Sequence, residues 1–430
     1  MRAALILTLA AGAAHAQDLG PRPVFAPVDM AQAELGQLLF YDPVLSGNRN
    51  TSCATCHHPR FGTSDGVSLA IGEGGIGLGP ARRPDPENPP EQRIPRNAPA
   101  LWNLGAEEFT VMFHDGRLEA DPSEPGGMRT PLGQEMVAGF DSVLSAQAMF
   151  PVLSGDEMAG HYSENRVSQA VRLGHLSMEG GAWDRISARV AEIPECRSRF
   201  DALLGTGAPI RFTDISNVIA AFIRLEWRAD ASPFDVAMTG GAPLPAPAAR
   251  GQGLFYGAAG CGSCHSGWLQ SDHGFHAIAL PQIGPGKAAR FENHARDEGR
   301  MRVTGQPDDA YRFRTPSLRN VAQTAPYGHN GAYATLDAMV RHHLDPVKSL
   351  EAYDRTQAVF PEFAAEDWRA LNDAEETARI AAASELAPVS LSDAEVADLL
   401  AFLNALTDEA AVAGRMGIPE NVPSGLPVQR

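Results

Sequence analysis

Beyond its first sixteen residues the chain has no apolar run approaching the roughly 20 residues that a bilayer-spanning helix needs. Positive charge is also scarce: 35 Lys and Arg stand against 52 Asp and Glu, a formal net charge of −17. Nucleic-acid phosphates demand a basic face, so a nucleic-acid partner is excluded. Strand signals are sparse, while Gly- and Pro-rich connections are long, notably 71–95 and 121–133. The class is therefore read as mainly α with extended loops. Cysteine is too scarce for a disulfide framework, because four of the five fall in two short motifs. The fifth, Cys196, stands alone in Pro194-Glu195-Cys196-Arg197 and reads as an unpaired or buried thiol.

What the chain does have begins at its start. Arg2, the apolar run from Ala3 and the small triplet Ala14-His15-Ala16 form a secretory signal-peptide pattern over 1–16, with cleavage before Gln17 and a periplasmic destination. The two motifs are Cys53-Ala54-Thr55-Cys56-His57 and Cys261-Gly262-Ser263-Cys264-His265. Cys-x-x-Cys-His suits attachment of a c-type haem: two thiols bond the macrocycle and the adjoining histidine reaches the iron. A redox dithiol does not need the histidine, and a zinc site needs further ligands at suitable spacing. Two covalently bound haems are expected, on His57 and His265.

The sequence around the motifs is duplicated. Gly36-Gln-Leu-Leu-Phe-Tyr41 precedes the first motif and Gly251-Gln-Gly-Leu-Phe-Tyr256 the second, and His114-Asp-Gly116 answers His329-Asn-Gly331. Both pairs lie 215 positions apart (251 − 36 and 329 − 114). Two tandem cytochrome c-like domains follow, 17–238 and 249–430, joined by a Gly- and Pro-rich linker at 239–248. Ile215, Val218, Ile219, Phe222 and Ile223 mark a packed helix face that closes the first domain. In the second, Ser392-Asp-Ala-Glu395 is a capping box before the stripe Val396, Leu399, Leu400, Leu403 and Leu406. A further helix is expected after His329-Asn-Gly331, where Leu336, Met339, Val340 and His343 share a face and His342 turns elsewhere.

The connecting phrases carry a family resemblance. Leu39-Phe-Tyr-Asp-Pro-Val-Leu-Ser46, Arg96-Asn-Ala-Pro99, His114-Asp-Gly-Arg117, Thr315-Pro-Ser-Leu-Arg-Asn-Val-Ala322 and Pro326-Tyr-Gly-His-Asn-Gly331 resemble the bacterial di-haem cytochrome c peroxidase and MauG family over nearly all of the mature chain. The resemblance implies a first haem where hydrogen peroxide reacts and a six-coordinate second haem that passes electrons. It places the second haem's far ligand just after His329-Asn-Gly331, where His343 is expected, with His342 as the alternative. Histidine there departs from the family's more frequent methionine or tyrosine, and implies a lower potential.

In the first domain Pro151 stands at the step from Leu144 that His343 keeps from Leu336, which leaves the first haem's sixth position open; Met149 is read as packing. No histidine lies between Pro59 and Leu101 to close that position from a loop. The resemblance further implies Glu157 as the acid-base carboxylate with Gln147 as its hydrogen-bonding companion, and a calcium ion on oxygens of Asn97, Thr324 and Pro326. His114 falls where the family has a bridging tryptophan, so electrons cross by His114, by nearby Trp102, or by proximity alone. The expected activity is peroxide reduction with electrons from a small cytochrome c or copper protein. The alternatives are a MauG-like oxidase acting on aromatic residues of a partner protein, and a bare electron carrier. A homodimer is counted among the expected assemblies.

Overall fold

The repeat segment Gly36–Tyr41 lies in a helix, α1, Met30–Tyr41, capped by the Asp29 side chain, which accepts from the Ala31 amide at 2.8 Å. It lies against α4, Phe212–Glu226, which buries all five apolar residues expected of it. In the second half α6, Ala246–Tyr256, lies in the same way against α8, Asp393–Asn404. The Ser392/Glu395 capping box opens α8 as expected, and Val396, Leu399 and Leu403 turn inward. Between them run α2 (Cys53–Cys56), α3 (Val143–Gln147), α5 (Pro233–Met238) and, late in the chain, α7 (Leu336–Leu344).

The duplication extends to a shared packing device. A Cβ placed on Gly36 would sit 1.8 Å from the Val218 carbonyl oxygen, and one on Gly251 would sit 1.8 Å from that of Asp398. Each helix pair therefore crosses so closely that only glycine fits at the matching position. Aromatic packing follows suit, with Phe40 5.3 Å from Phe222 in one core and Phe255 5.1 Å from Phe402 in the other.

This computed structural model describes residues 19–287 and 292–430; the signal-peptide reading of 1–16 and its cleavage point lie outside the described residues. Helix makes up 39% and strand 6%, far below the usual strand share, so the protein is mainly α. Among the described residues the strands form three small antiparallel sheets; one sets Phe275 opposite Arg314 and His276 opposite Phe313.

The packing divides the chain differently from the expected boundaries. α5, assigned to the first domain, belongs to the second core: Phe234 is fully buried there, its amide donates to the Ala405 carbonyl at 3.0 Å, and Asp235 pairs with Arg319. The expected linker 239–248 already contains the start of α6, since Pro247 occupies its first turn, where proline needs no amide partner. Nor does the second domain keep to itself through 430. Ala411 and Val422 enter the first core, Glu226 accepts from the amides of Arg415, Met416 and Gly417, and Ser424 bonds Asp42.

A buried charge cluster joins the halves. Arg96 holds Asp297 with two bonds of 2.7 Å and Asp115 with another of 2.7 Å, all three side chains less than a tenth exposed.

Candidate functional site

The first motif is a single helical turn, α2, whose Ser52 amide donates to Thr55 Oγ1 at 3.0 Å. His57 leaves that turn with Nδ1 3.1 Å from the Thr63 carbonyl, so Nδ1 carries the proton and Nε2 is free to bind a metal. Burial lowers its pKa and favours the neutral imidazole that metal ligation requires. Cys53 and Cys56 form no disulfide, and burial pushes both thiols up to about 12. A low-pKa redox dithiol is the opposite arrangement.

The second motif repeats this geometry. His265 Nδ1 lies 3.0 Å from the Gln270 carbonyl, and burial lowers its pKa to about 4. The motif borders a cavity of about 300 Å³, and Leu336, Met339, Val340 and His343 of α7 border it too. The rings of His265 and His343 stand 6.5 Å apart between centres. With metal–imidazole bonds of about 2 Å on each side, two rings facing one ion stand roughly 6 Å apart. His343 Nδ1 is 2.9 Å from the Met339 carbonyl, which again leaves Nε2 free. His342 turns away, fully buried, with Nδ1 3.0 Å from the Tyr333 hydroxyl and Nε2 2.8 Å from the Ile278 carbonyl.

Two wall residues of this cavity carry polar groups without a partner suited to them. Among the described residues no carboxylate pairs with Arg314, whose guanidinium donates only to the Phe113 and Thr315 carbonyls at 3.3 Å and whose pKa burial lowers to about 10. Trp102 is 4% exposed and its Nε1 has no hydrogen-bond partner. An uncompensated buried guanidinium calls for an anion, which fits a macrocycle bearing carboxylates. A zinc reading fits less well: the group of possible metal ligands found among the described residues, Cys264, Asp272 and His276, is tied into ion pairs, with His276 2.9 Å from both Asp272 and Glu385.

Further along the first half Pro151 begins a tight 3-10 turn, and Glu157 lies on one turn of π-helix, Gly155–Ala159. π-turns are frequent at functional sites. Burial pushes the Glu157 carboxyl above its ordinary range, while Lys287 and Arg117 pull it back. Glu157 also acts electrostatically on Cys56, which ties it to the first motif. Lys287, one of only two lysines in the chain, is lowered to about 8, chiefly by burial. No local pattern marks it in the sequence, since it reaches this site from the second half. Gln147 ends α3 with its Oε1 buried and unbonded; the expected hydrogen bond to Glu157 is not made, because the two residues sit on separate turns. Met149 is fully buried in the first core.

His114, Asn97, Thr324 and Pro326 also border the second cavity. His114 Nε2 is 3.1 Å from the Asn97 carbonyl, and burial first, then Arg96, lowers its pKa to about 4, so it is neutral. The calcium candidates Asn97 and Thr324 are engaged with the backbone: Asn97 Nδ2 donates to the Val67 carbonyl at 2.8 Å and Thr324 Oγ1 to that of Val321 at 3.0 Å. His329, which sequence reasoning passed over, stacks on Phe313 at 3.5 Å in the same wall.

A helical scaffold built twice around histidine-bearing motifs, one of them facing a second histidine, defines the class of two-haem redox proteins. The chain belongs to the di-haem cytochrome c peroxidase family, whose model matches residues 30–242. It is 29% identical over 395 residues to the methylamine utilization protein MauG of Methylorubrum extorquens, covering 91% of this chain and 82% of that one. It is 30% identical over 357 residues to cytochrome-c peroxidase IdrP1 of Denitromonas iodatirespirans, covering 77% and 78%. The crystal structure of a MauG-like protein associated with microbial copper homeostasis superposes with a TM-score of 0.59 at 27% identity, over 92% of this chain and 95% of that one. The protein is an oxidoreductase with haem cofactors. No helix among the described residues is long and apolar enough to cross a membrane.

Proposed function

We propose that the protein is an exported, periplasmic peroxidase that reduces hydrogen peroxide at its first haem and draws electrons through its second. The carrying observation is the asymmetry of the sites: His343 faces His265 across the cavity beside the second motif, whereas Glu157, a carboxyl whose pKa burial raises, acts on the first motif. Cys53 and Cys56 would bind one haem covalently and Cys261 and Cys264 the other. Haem iron supplies the redox chemistry in both places. His57, oriented by the Thr63 carbonyl, would hold the first haem's iron through Nε2. Glu157 moves a proton from the inner to the outer peroxide oxygen, a role that typically contributes about 10²- to 10⁴-fold in rate. Lys287 and Arg117 keep that carboxyl able to release its proton again. His265 and His343 would hold the second haem's iron, which would supply electron transfer there, with electrons coming from a small cytochrome c or copper protein. Oxygens of Asn97, Thr324 and Pro326 remain the candidates for calcium, a hard cation that favours such ligands.

A second reading, oxidation of aromatic residues in a partner protein, is favoured by the match to MauG and by the two histidines, which lower an iron's potential. Steady-state peroxide consumption with a reduced cytochrome c separates the two. Sustained turnover supports the peroxidase. Negligible turnover beside peroxide-dependent oxidation of a protein's tryptophan or tyrosine supports the other.

A further inference from the structure

We propose that Arg82 is a positioning residue for Glu157, holding the hairpin 71–84 as the surface against which the Glu157 turn is set. The role rests on the reading that Glu157 moves a proton between the peroxide oxygens.

The turn Gly155–Ala159 does little to hold itself. The amides of Glu157, Met158 and Ala159 all converge on one acceptor, the Ser154 carbonyl, at 3.2, 3.0 and 2.8 Å. Its own carbonyls are taken from outside. That of Asp156 accepts from the Glu73 amide at 3.0 Å, that of Met158 from the Gly47 amide at 2.7 Å and that of Ala159 from Asn165 Nδ2 at 2.9 Å. Gln92 Nε2 adds a bond of 2.6 Å to the Asp156 side chain. The Glu157 carboxyl bonds the side chain of Ser154, the residue that precedes the same turn, and so goes where the turn goes.

Glu73 belongs to the hairpin, whose arms pair Gly75 with Pro84 and Ile76 with Arg83. The hairpin closes around the Arg82 side chain, which is buried. Nε donates to the Ile71 carbonyl, Nη2 to that of Gly72 and Nη1 to that of Gly77. Bonds from a charged donor are roughly twice as strong as neutral ones, and a planar guanidinium holds such a fork where a lysine ammonium on its flexible stem does not. The hairpin then meets the turn backbone on backbone. A Cβ on Gly72 would stand 2.2 Å from the Asp156 carbonyl oxygen and 2.9 Å from Glu157 Cα. Lys287 and Arg117 supply the charges that pull on Glu157. Arg82 supplies shape, through the carbonyl of Gly72 itself.

The test mixes the ferric holoprotein rapidly with peroxide across pH, and follows hydrogen exchange of the 71–77 backbone by mass spectrometry as a readout independent of turnover. Gly72→Ala changes no charge, yet should slow the reaction at least about tenfold, as Glu157→Gln does, within the general acid-base range, while keeping the acid limb that Glu157→Gln lacks. Arg82→Lys keeps its charge, yet should slow the reaction similarly and speed exchange in 71–77 by about tenfold or more. Adding Gly72→Ala to Glu157→Gln should slow it less than about twofold further, because a residue acting through Glu157 then has nothing to act on. A wild-type rate in Gly72→Ala, a wild-type rate or unchanged exchange in Arg82→Lys, or a double variant slowed by the product of its two single effects overturns the positioning role alone. A wild-type protein that does not react with peroxide, or a Glu157→Gln variant as fast as wild type, overturns the proton-transfer reading and the positioning role with it.

Discussion

The two halves hold their motif histidines alike and differ in what stands opposite. His57 and His265 each give Nδ1 to a backbone carbonyl a few residues on, Thr63 and Gln270. Each motif also follows the first helix of a pair pinned by a glycine at the same step of the repeat. Across from His265 stands His343 on α7. The corresponding stretch of the first half contains Pro151, which opens a 3-10 turn and has no side-chain donor, and then Glu157 on a π-turn. Duplication thus preserved the scaffold and the seating of the motif histidines, and in the proposed function the return segment separates an electron-transfer site from one that works on a small molecule.

The comparison would break completely if His343 did not close the second site. His343→Ala should abolish the low-spin spectrum of the second haem while leaving both haems attached. His342→Ala should retain that spectrum, since both its ring nitrogens serve Tyr333 and Ile278.

Next in size, Arg96→Leu strands Asp297 and Asp115 in the seam between the halves and should destabilise the protein by about 3–5 kcal/mol, read by denaturant or thermal unfolding. Burial would raise the Asp297 pKa, but Arg96 holds it well below the usual range. A depressed carboxylate contributes stability that is present above its unfolded value and lost as pH falls toward its folded one. The wild type should therefore lose stability in acid below the ordinary aspartate range, and Arg96→Leu should lose less of it there.

Glu157→Gln should keep both haems and their spin states but slow the reaction with peroxide at least about tenfold, within the general acid-base range. The active form is the carboxylate, and its pKa is raised. The wild-type rate should thus fall on acidification with a midpoint above the ordinary Glu value of about 4.3, and the variant should lack that limb. The finest adjustment is Lys287→Gln. Removing the leading charge that pulls Glu157 down should move the acid limb to higher pH, as stopped-flow rates across pH would reveal.

The parts of this comparison legible in the sequence are those that local geometry dictates. The spacing of Leu336, Met339, Val340 and His343 put one side of α7 on the cavity and turned His342 away, because helical period depends on near neighbours alone. The stripes of α4 and α8 were readable for the same reason. Long-range choices left no such mark. Nothing local in Pro233–Met238 says which core Phe234 enters, and the Gly- and Pro-rich stretch taken for a linker includes a helix start, where proline is equally at home. Lys287 acts on Glu157 from the other half of the chain, and the missing Gln147–Glu157 bond depends on how two separate turns are set.

The closing segment of the chain also sets an order of events. Thr55, between the two cysteines of the first motif, donates to Gln429 Oε1 across a separation of 374 residues. Cys53 and Cys56 leave the ribosome hundreds of residues before Gln429, so this side of the first motif is built from both early and late parts of the chain. In the proposed covalent attachment of haem, the thiols would be open on that side until Gln429 docks.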